Sequence, residues 1–469
     1  MRSTSSALSS AITPILLVSG LAGVGVLIAA GSLRAVLAGA LVLAIASAAR
    51  LGLTGADVAR VAVWIGLLGI NAVTQQQTEA NVAQANVNGL AVIQIALPVA
   101  ALAAVLLLDW QPFFPLNRRE CLLAGYLTLA LLSSLWSVAP KVTALKAIQL
   151  IIAYALVLAM VRRNSRQQLV AQVVVVVQVI VIASLLGAVI HPGAALVSRD
   201  VSNPTQRLHG LFPAIGPDLL GLVAAVALIS ALLRSGSSLY RRGIARWGFV
   251  ALDVGCLLLT RSRTSLLLTA LGLFVGCIVD PKRRVKMLVF ILPLALAILV
   301  PLASSSAIVN FVHRGQNQVA FSTLTGRTQI WSAALHYAEV RPLEGYGYYA
   351  GHRVGAFAES FSFELPNIDN MWLETFLDVG IFGVILLTGL VVGGVVALLQ
   401  DAEKEGGGQP SLFVPTAAIC IVSSIVNPSL QQPNYPMYLF GLALLARPAV
   451  GMAVGSRALA LHRSRVEPE

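Results

Sequence analysis

Apolar runs of about 17 residues or more, nearly free of charge, recur along the whole of this 469-residue chain. Each run is long enough, as a helix, to cross a hydrocarbon layer of about 30 Å. Inside a bilayer a backbone must satisfy its own hydrogen bonds, so a run of this kind becomes helix even where its residues favour strands, as at Val173–Val177. Only 11% of the residues are charged, against roughly 25% in soluble domains. No alternation of the kind a membrane β-barrel needs is visible. The expectation is an all-α polytopic integral membrane protein. About fourteen candidate spans lie near 11–31, 34–50, 58–73, 90–109, 120–137, 143–161, 168–190, 214–233, 244–260, 263–280, 285–303, 376–400, 411–427 and 435–451. The second and third are short and weak, which leaves about twelve as the lower reading. This divides the chain into an N-terminal transmembrane bundle (1–303), one large loop (304–375) and C-terminal spans with a tail (376–469). The first run, 11–31, reads as an uncleaved span rather than a signal peptide, because so many spans follow it.

The net charge of +12 does not signal nucleic acid, because no basic soluble domain exists to carry such a role. The cations sit in short loops, as at Arg118-Arg119, Arg162-Arg163 with Arg166, Arg241-Arg242 and Lys282-Arg283-Arg284. The positive-inside rule then predicts cytoplasmic termini and puts the 304–375 loop outside. Several arginines fall outside against the bias, among them Arg207, Arg261, Arg263, Arg327, Arg341 and Arg353. Exported arginine is disfavoured, so its clustering calls for a functional reason. The four cysteines fall in or beside apolar spans and read as small core residues. No His, Cys or Asp cluster has metal-ligand spacing, and nothing in the sequence calls for a cofactor.

Four polar stretches carry the candidate chemistry. Thr260-Arg261-Ser262-Arg263-Thr264 joins two spans with almost no loop, holding two guanidinium groups at membrane depth. They either snorkel to headgroups or meet an anion such as a lipid-linked diphosphate. Thr325-Gly326-Arg327 opens an amphipathic helix with Ile330, Trp331, Ala334, Leu335 and Ala338 on one face, ending at Arg341-Pro342. Arg327 opposes the dipole of that helix, and a bound anion would resolve the conflict. Gly345-Tyr346-Gly347-Tyr348-Tyr349 is an aromatic turn suited to sugar faces or to a membrane interface, with His352 and Arg353 just beyond. Ile368-Asp369-Asn370 precedes a span; Asp369 or Asn370 either caps that helix or supplies a carboxylate base. Glu374 and Asp378 read as face residues, and Asp253, inside a span, should face the bundle interior with an arginine as its expected partner.

Taken together these stretches resemble the O-antigen ligase/polymerase superfamily, often called Wzy-like. Ser133 to Pro140 is similar to its Trp-Ser-x-x-Pro signature, Arg207 to Phe212 to its Arg-x-x-Gly-x-Phe segment, and Ser262-Arg263-Thr264 to its Ser-Arg-Thr. Gly326-Arg327, Trp331 and Pro342 to Gly347 resemble its Gly-Arg, Trp and Pro-Leu-x-Gly-Tyr-Gly block. The wording is most like that of exopolysaccharide polymerases. The resemblance implies a helical-bundle (GT-C-like), metal-independent glycosyltransferase at the periplasmic face of a bacterial inner membrane. It implies undecaprenyl-diphosphate-linked oligosaccharide as substrate, with a flippase and a chain-length regulator as partners. By that analogy Arg207, Arg261, Arg263 and Arg327 hold the diphosphate, and a general base deprotonates the acceptor hydroxyl. Trp331, Tyr346, Tyr348 and Asn370 become sugar or acceptor contacts. Two departures matter: Asp218 stands where Asn is usual, and Asp369-Asn370 replaces the usual His-Asn. Either Asp369 or His352 then takes the role of the base, or the activity is altered. A ligase acting on lipid A-core or protein, and a non-enzymatic transporter of lipid-linked sugars, are the competing readings.

Overall fold

The computed structural model describes residues 116–197, 206–211, 214–233, 240, 243–279, 327–359, 368–404, 412–427, 430–433 and 435–446. The candidate spans at 11–31, 34–50, 58–73, 90–109 and 285–303 lie outside these residues, as do Thr325 and Gly326.

The described chain is helical almost throughout. Helices α1 (Arg118–Leu132), α2 (Pro140–Arg163) and α3 (Arg166–Ile190) run back and forth first. Two short antiparallel ribbons follow, β1 (Leu196–Val197) with β2 (Arg207–Leu208) and β3 (Gly210–Leu211) with β4 (Ala214–Ile215). Then come α4 (Pro217–Leu233), α5 (Gly243–Thr260) and α6 (Arg263–Val279). Helix α7 (Arg327–Val340) precedes the long α8 (Met371–Lys404), α9 (Phe413–Ser423) and α10 (Tyr435–Leu445). The 166–190 helix includes the valine run, as the bilayer argument requires. Span starts move by a few residues: the 214–233 span begins at Pro217, and the 376–400 span begins at Met371. The 120–137 span stops at Leu132, where a 3-10 turn takes over.

Among the described residues α2, α3 and α8 are long and apolar enough to cross a membrane. Helix α4 is apolar on every side and is buried nearly throughout, packed against α3, α5 and α6. A helix with no polar face has to sit at the centre of a bundle. Helix α8 packs on α1 and leaves Phe382, Ile385, Val392 and Leu399 exposed. Such a flank would be a liability in water and is what lipid-facing surface requires.

Three expectations change. Asp253 is fully buried, but its partner is Gln178, which donates to its carboxylate at 3.0 Å and links it to Tyr240 and Ser230. A neutral amide meets the group without placing a second charge in the bundle. Leu335 is 43% exposed, because α7 docks through Ala334 and Ala338, whose small side chains let it lie close. Cys121 is exposed, while Cys256, Cys277 and Cys420 are buried as expected.

The two ends of the bundle differ. One carries Glu120–Arg162 (2.7 Å), Arg166–Asp401 (3.5 Å) and Arg119 donating to the Leu444 carbonyl (2.6 Å). The other gathers the starts of α4, α6 and α8 with the end of α5, and most of the candidate residues lie there.

Candidate functional site

The ribbon β1–β2 places Arg207 beside the tip of α5. Its Nε donates to the carbonyl of Thr260 at 3.0 Å, one of the acceptors a helix end leaves over. Its Nη2 reaches Asp218, in the first turn of α4, at 2.8 Å. Ser262 donates to the same carboxylate oxygen at 2.5 Å, while its own Oγ accepts from the Ser265 amide and caps α6. Asp218 is thus the hub between β2, α4 and the α5–α6 turn, and a carboxylate suits it better than Asn because its negative charge strengthens the bond from the arginine. The α5–α6 turn is so tight that Arg261 takes a φ of +47°. Arg263, the first residue of α6, lies within electrostatic reach of Asp218, Arg207 and Arg327. Three of the four expected arginines therefore converge. Among the described residues no hydrogen bond or ion pair ties the Arg261 side chain to them.

The second half of the site hangs from α7 and the start of α8. Arg327 pairs with Asp369 at 3.0 Å. Trp331 donates to the Ile368 carbonyl at 2.7 Å and so holds the backbone just before Asp369; its indole works as a strut. The helix cap is assigned by geometry. Asn370 Oδ1 accepts from the amides of Trp372 (3.0 Å) and Leu373 (3.1 Å), so Asn370 is the N-cap of α8. Asp369 is released from that duty and sits at φ +51°, a conformation that costs a non-glycine residue energy. Its carboxyl is raised above the ordinary carboxylate range because burial outweighs the opposing pull of Arg327 and Arg353.

The aromatic turn has a specific mechanical task. Helix α8 breaks at Gly380, where φ is +70° and an added Cβ would lie 2.0 Å from the Leu343 carbonyl oxygen. The break leaves carbonyls without helical partners, and the turn supplies them: Tyr346 N donates to Leu377 O at 3.0 Å and Gly347 N to Asp378 O at 2.8 Å. In return Ile381 N donates to Pro342 O at 2.8 Å. The Ser133–Pro140 stretch closes over the other side. Trp136 donates to Glu344 O (2.9 Å), Val138 N to Tyr346 O (3.1 Å), and the Tyr348 amide to Ser133 Oγ (2.9 Å). The two separate sequence signatures are thus the two halves of one clasp.

This clasp decides the fate of several candidates. Tyr348 is 2% exposed and donates its hydroxyl to the Gln431 carbonyl, so its ring is core wall. Tyr346 is half-buried, donates to Tyr337 O at 3.2 Å and lies beneath the Arg341 guanidinium. His352 is buried; its Nδ1 lies 2.9 Å from Asp378, whose carboxylate also accepts from the Tyr349 and His352 amides. The other ring nitrogen faces Glu374 at 4.0 Å. Glu374 and Asp378 are therefore interior residues, Asp378 holding the loop on α8 and Glu374 accepting from Gln431, in place of the face residues read from their one-turn spacing. Nothing in the sequence singles out Gly380 from Gly383, Gly389, Gly393 and Gly394 in the same apolar run.

Comparison with known proteins bears on this geometry directly. Residues 248–388, which hold Arg263, Arg327, Asp369 and the clasp turn, match the family model described as O-antigen ligase. Over these residues the chain resembles the Wzy-like superfamily, and the likeness extends to a protein of exopolysaccharide production. The exopolysaccharide production protein ExoQ of Rhizobium meliloti (strain 1021) is 27% identical over 358 residues, covering 70% of this chain and 78% of that protein. A membrane protein with a ligase- or polymerase-type function is what these likenesses support.

Proposed function

We propose that this Wzy-like chain polymerises lipid-diphosphate-linked oligosaccharide repeat units, undecaprenyl diphosphate being the carrier, at the periplasmic face of the inner membrane. The supporting observation is the convergence of Arg207, Arg263 and Arg327, from three separate parts of the chain, around Asp218 and Asp369. The acceptor hydroxyl attacks the anomeric carbon of the donor glycan, and the bond from that carbon to the diphosphate oxygen breaks. The electron pair leaves with the diphosphate, where the arginine forks stabilise it in bidentate fashion. The hydroxyl proton passes to the Asp369 carboxylate, help that is typically worth about 10²–10⁴ in rate. The loop carrying Arg327 and Asp369 lies outside, as do Arg207 and Arg263, and both termini lie in the cytoplasm, following the loop-charge bias. The bundle acts as a helical (GT-C-like) glycosyltransferase scaffold, and a flippase and a chain-length regulator are the partners this role implies.

The family description as a ligase favours one second reading, transfer of a finished glycan to a different acceptor. Reconstitution decides between them. Purified protein in vesicles, given only a synthetic lipid-diphosphate-linked repeat unit, should give a ladder of products one unit apart. A ligase gives no ladder from that substrate alone. A protein that moves the intact substrate across the vesicle membrane without consuming it is a transporter.

A further inference from the structure

Tyr349 is held at φ +63°, a conformation with a real energetic cost for an aromatic residue. The conformation is enforced by its amide donating to Asp378 at 2.8 Å and by the clasp around it. The result is a ring with two cations on it: Lys146 Nζ lies 4.9 Å from the ring centroid and the Arg353 guanidinium carbon 6.0 Å. Lys146 belongs to α2, six residues in from Pro140, or about 9 Å along the helix axis at about 1.5 Å per residue. An ammonium at that depth of a membrane-crossing helix is unfavourable without an anion or an outlet to water. Among the described residues Lys146 meets the face of an aromatic ring and no carboxylate. Arg353 in turn acts electrostatically on Asp369, so this second cationic group lies within electrostatic reach of the candidate base.

We propose that Lys146, Tyr349 and Arg353 form a second anion subsite that holds the diphosphate of the lipid-linked acceptor. This rests on the polymerase reading, in which the acceptor as well as the donor carries a lipid diphosphate. The first subsite, at Arg207, Arg263 and Arg327, takes the diphosphate that leaves; the second takes one that stays attached throughout. A point charge on a flexible stem suits an anchor of this kind, whereas the departing group calls for the arginine forks of the first subsite. An acceptor anchored beside Tyr349 folds its free end back across Arg353 to reach Asp369. Anionic phospholipid shares the same phosphate chemistry and depth, so the test must separate the two sources.

The experiment uses the full chain in vesicles and a donor whose non-reducing end is chemically blocked, so that it cannot serve as acceptor. Two acceptors are compared: the lipid-diphosphate-linked repeat unit and the same oligosaccharide released from its lipid. Wild type should show a KM for the linked acceptor at least about ten-fold lower, and Lys146→Gln should bring that ratio close to one while Lys146→Arg restores part of it. Unchanged discrimination in Lys146→Gln overturns the subsite. Loss of the Lys146→Gln defect when phosphatidylglycerol is replaced by phosphatidylcholine assigns the position to bulk lipid and also overturns it. If wild type makes no product from the linked acceptor at all, the polymerase reading itself falls. Lys146→Met, which retains the helix and most of the stem, checks that any collapse of the ratio comes from the lost charge.

Discussion

The two ends of the bundle use the same residue types for opposite ends. At the Glu120 end the ion pairs are closed: the side chains of Arg162 and Glu120 are 6% and 0% exposed, those of Arg166 and Asp401 5% and 7%. At the Asp369 end they are open: Arg207 and Asp218 are 14% and 32% exposed, Arg327 and Asp369 23% and 28%. The closed pairs each join two helices and leave no room for a third party. The open pairs leave guanidinium edges toward the outside, where an incoming anion can replace or share the carboxylate. Strain divides the same way. The three non-glycine residues at positive φ, Arg261, Tyr349 and Asp369, all lie at the open end among the described residues. Backbone strain of this kind persists where the surroundings over-determine it, commonly at functional sites.

The comparison breaks most readily at the open end. Asp369→Asn keeps a residue type that tolerates positive φ and leaves the Asn370 cap untouched, so the fold should survive. Amide nitrogen and oxygen cannot take the acceptor's proton. Polymer formation should fall by about 10²-fold or more while membrane yield and thermal midpoint stay close to wild type. Arg327→Lys should lose nearly as much as Arg327→Ala, since a point charge does not reproduce a fork. Chain-length analysis of extracted polysaccharide reads both. Wild-type polymer from Asp369→Asn would shift the proton-accepting role toward His352.

The closed end should respond in the opposite currency. Arg162→Met removes one partner of a buried pair and takes a cation from the Glu120 carboxylate, a change worth up to about 3–5 kcal/mol of stability. Detergent-solubilised protein should melt markedly earlier, with turnover per folded molecule little changed. Arg162→Met with Glu120→Leu should recover much of that loss, because an apolar pair of similar volume avoids the desolvation penalty. Failure of the double variant to recover would mean that Glu120 matters more as the reciprocal cap of α1, where its carboxylate accepts from the Asn117 amide.

Much of this contrast was legible before any coordinates. Continuous apolar runs located α2 to α6 and α8 to α10 within a few residues, because the bilayer leaves helix as the only outcome. The arginines that break the expected loop-charge bias pointed to Arg207, Arg263 and Arg327, since charge bias is a property of sequence order. The break in α8 was not legible, because Asp378 and Gly380 lie in a run that is apolar on average and the loop that mends it is about thirty residues away in sequence. For the same reason Glu374 and Asp378 were misread: one-turn spacing says which residues share a face but not what covers it. Tyr348 shows the limit for aromatics, whose enrichment at sugar sites and in cores gives one sequence signal for two fates.

The smallest effect concerns how the open end sets the basicity of Asp369. Burial raises its carboxyl above the ordinary value, and Arg327 and Arg353 hold that rise back. A base must be deprotonated to act, so turnover should fall as pH drops through the folded-state pKa of Asp369, and that acid limb should lie above the 3.8 of a free aspartate. Removing a nearby cation disfavours the carboxylate and moves the limb upward. Arg353→Gln, which leaves the 3.0 Å Arg327–Asp369 pair in place, should shift it up by less than about one pH unit. The sign for stability follows the same shift: with the folded pKa above the unfolded one, the Asp369 contribution is fully present at low pH and is lost as pH rises through the folded value. Activity and stability should thus move in opposite directions across the acid range, activity rising with pH while this one contribution declines. A pH–rate profile in vesicles, set beside thermal midpoints over the same range, tests both signs. An acid limb that moves down in Arg353→Gln would show that the group titrating there is not Asp369.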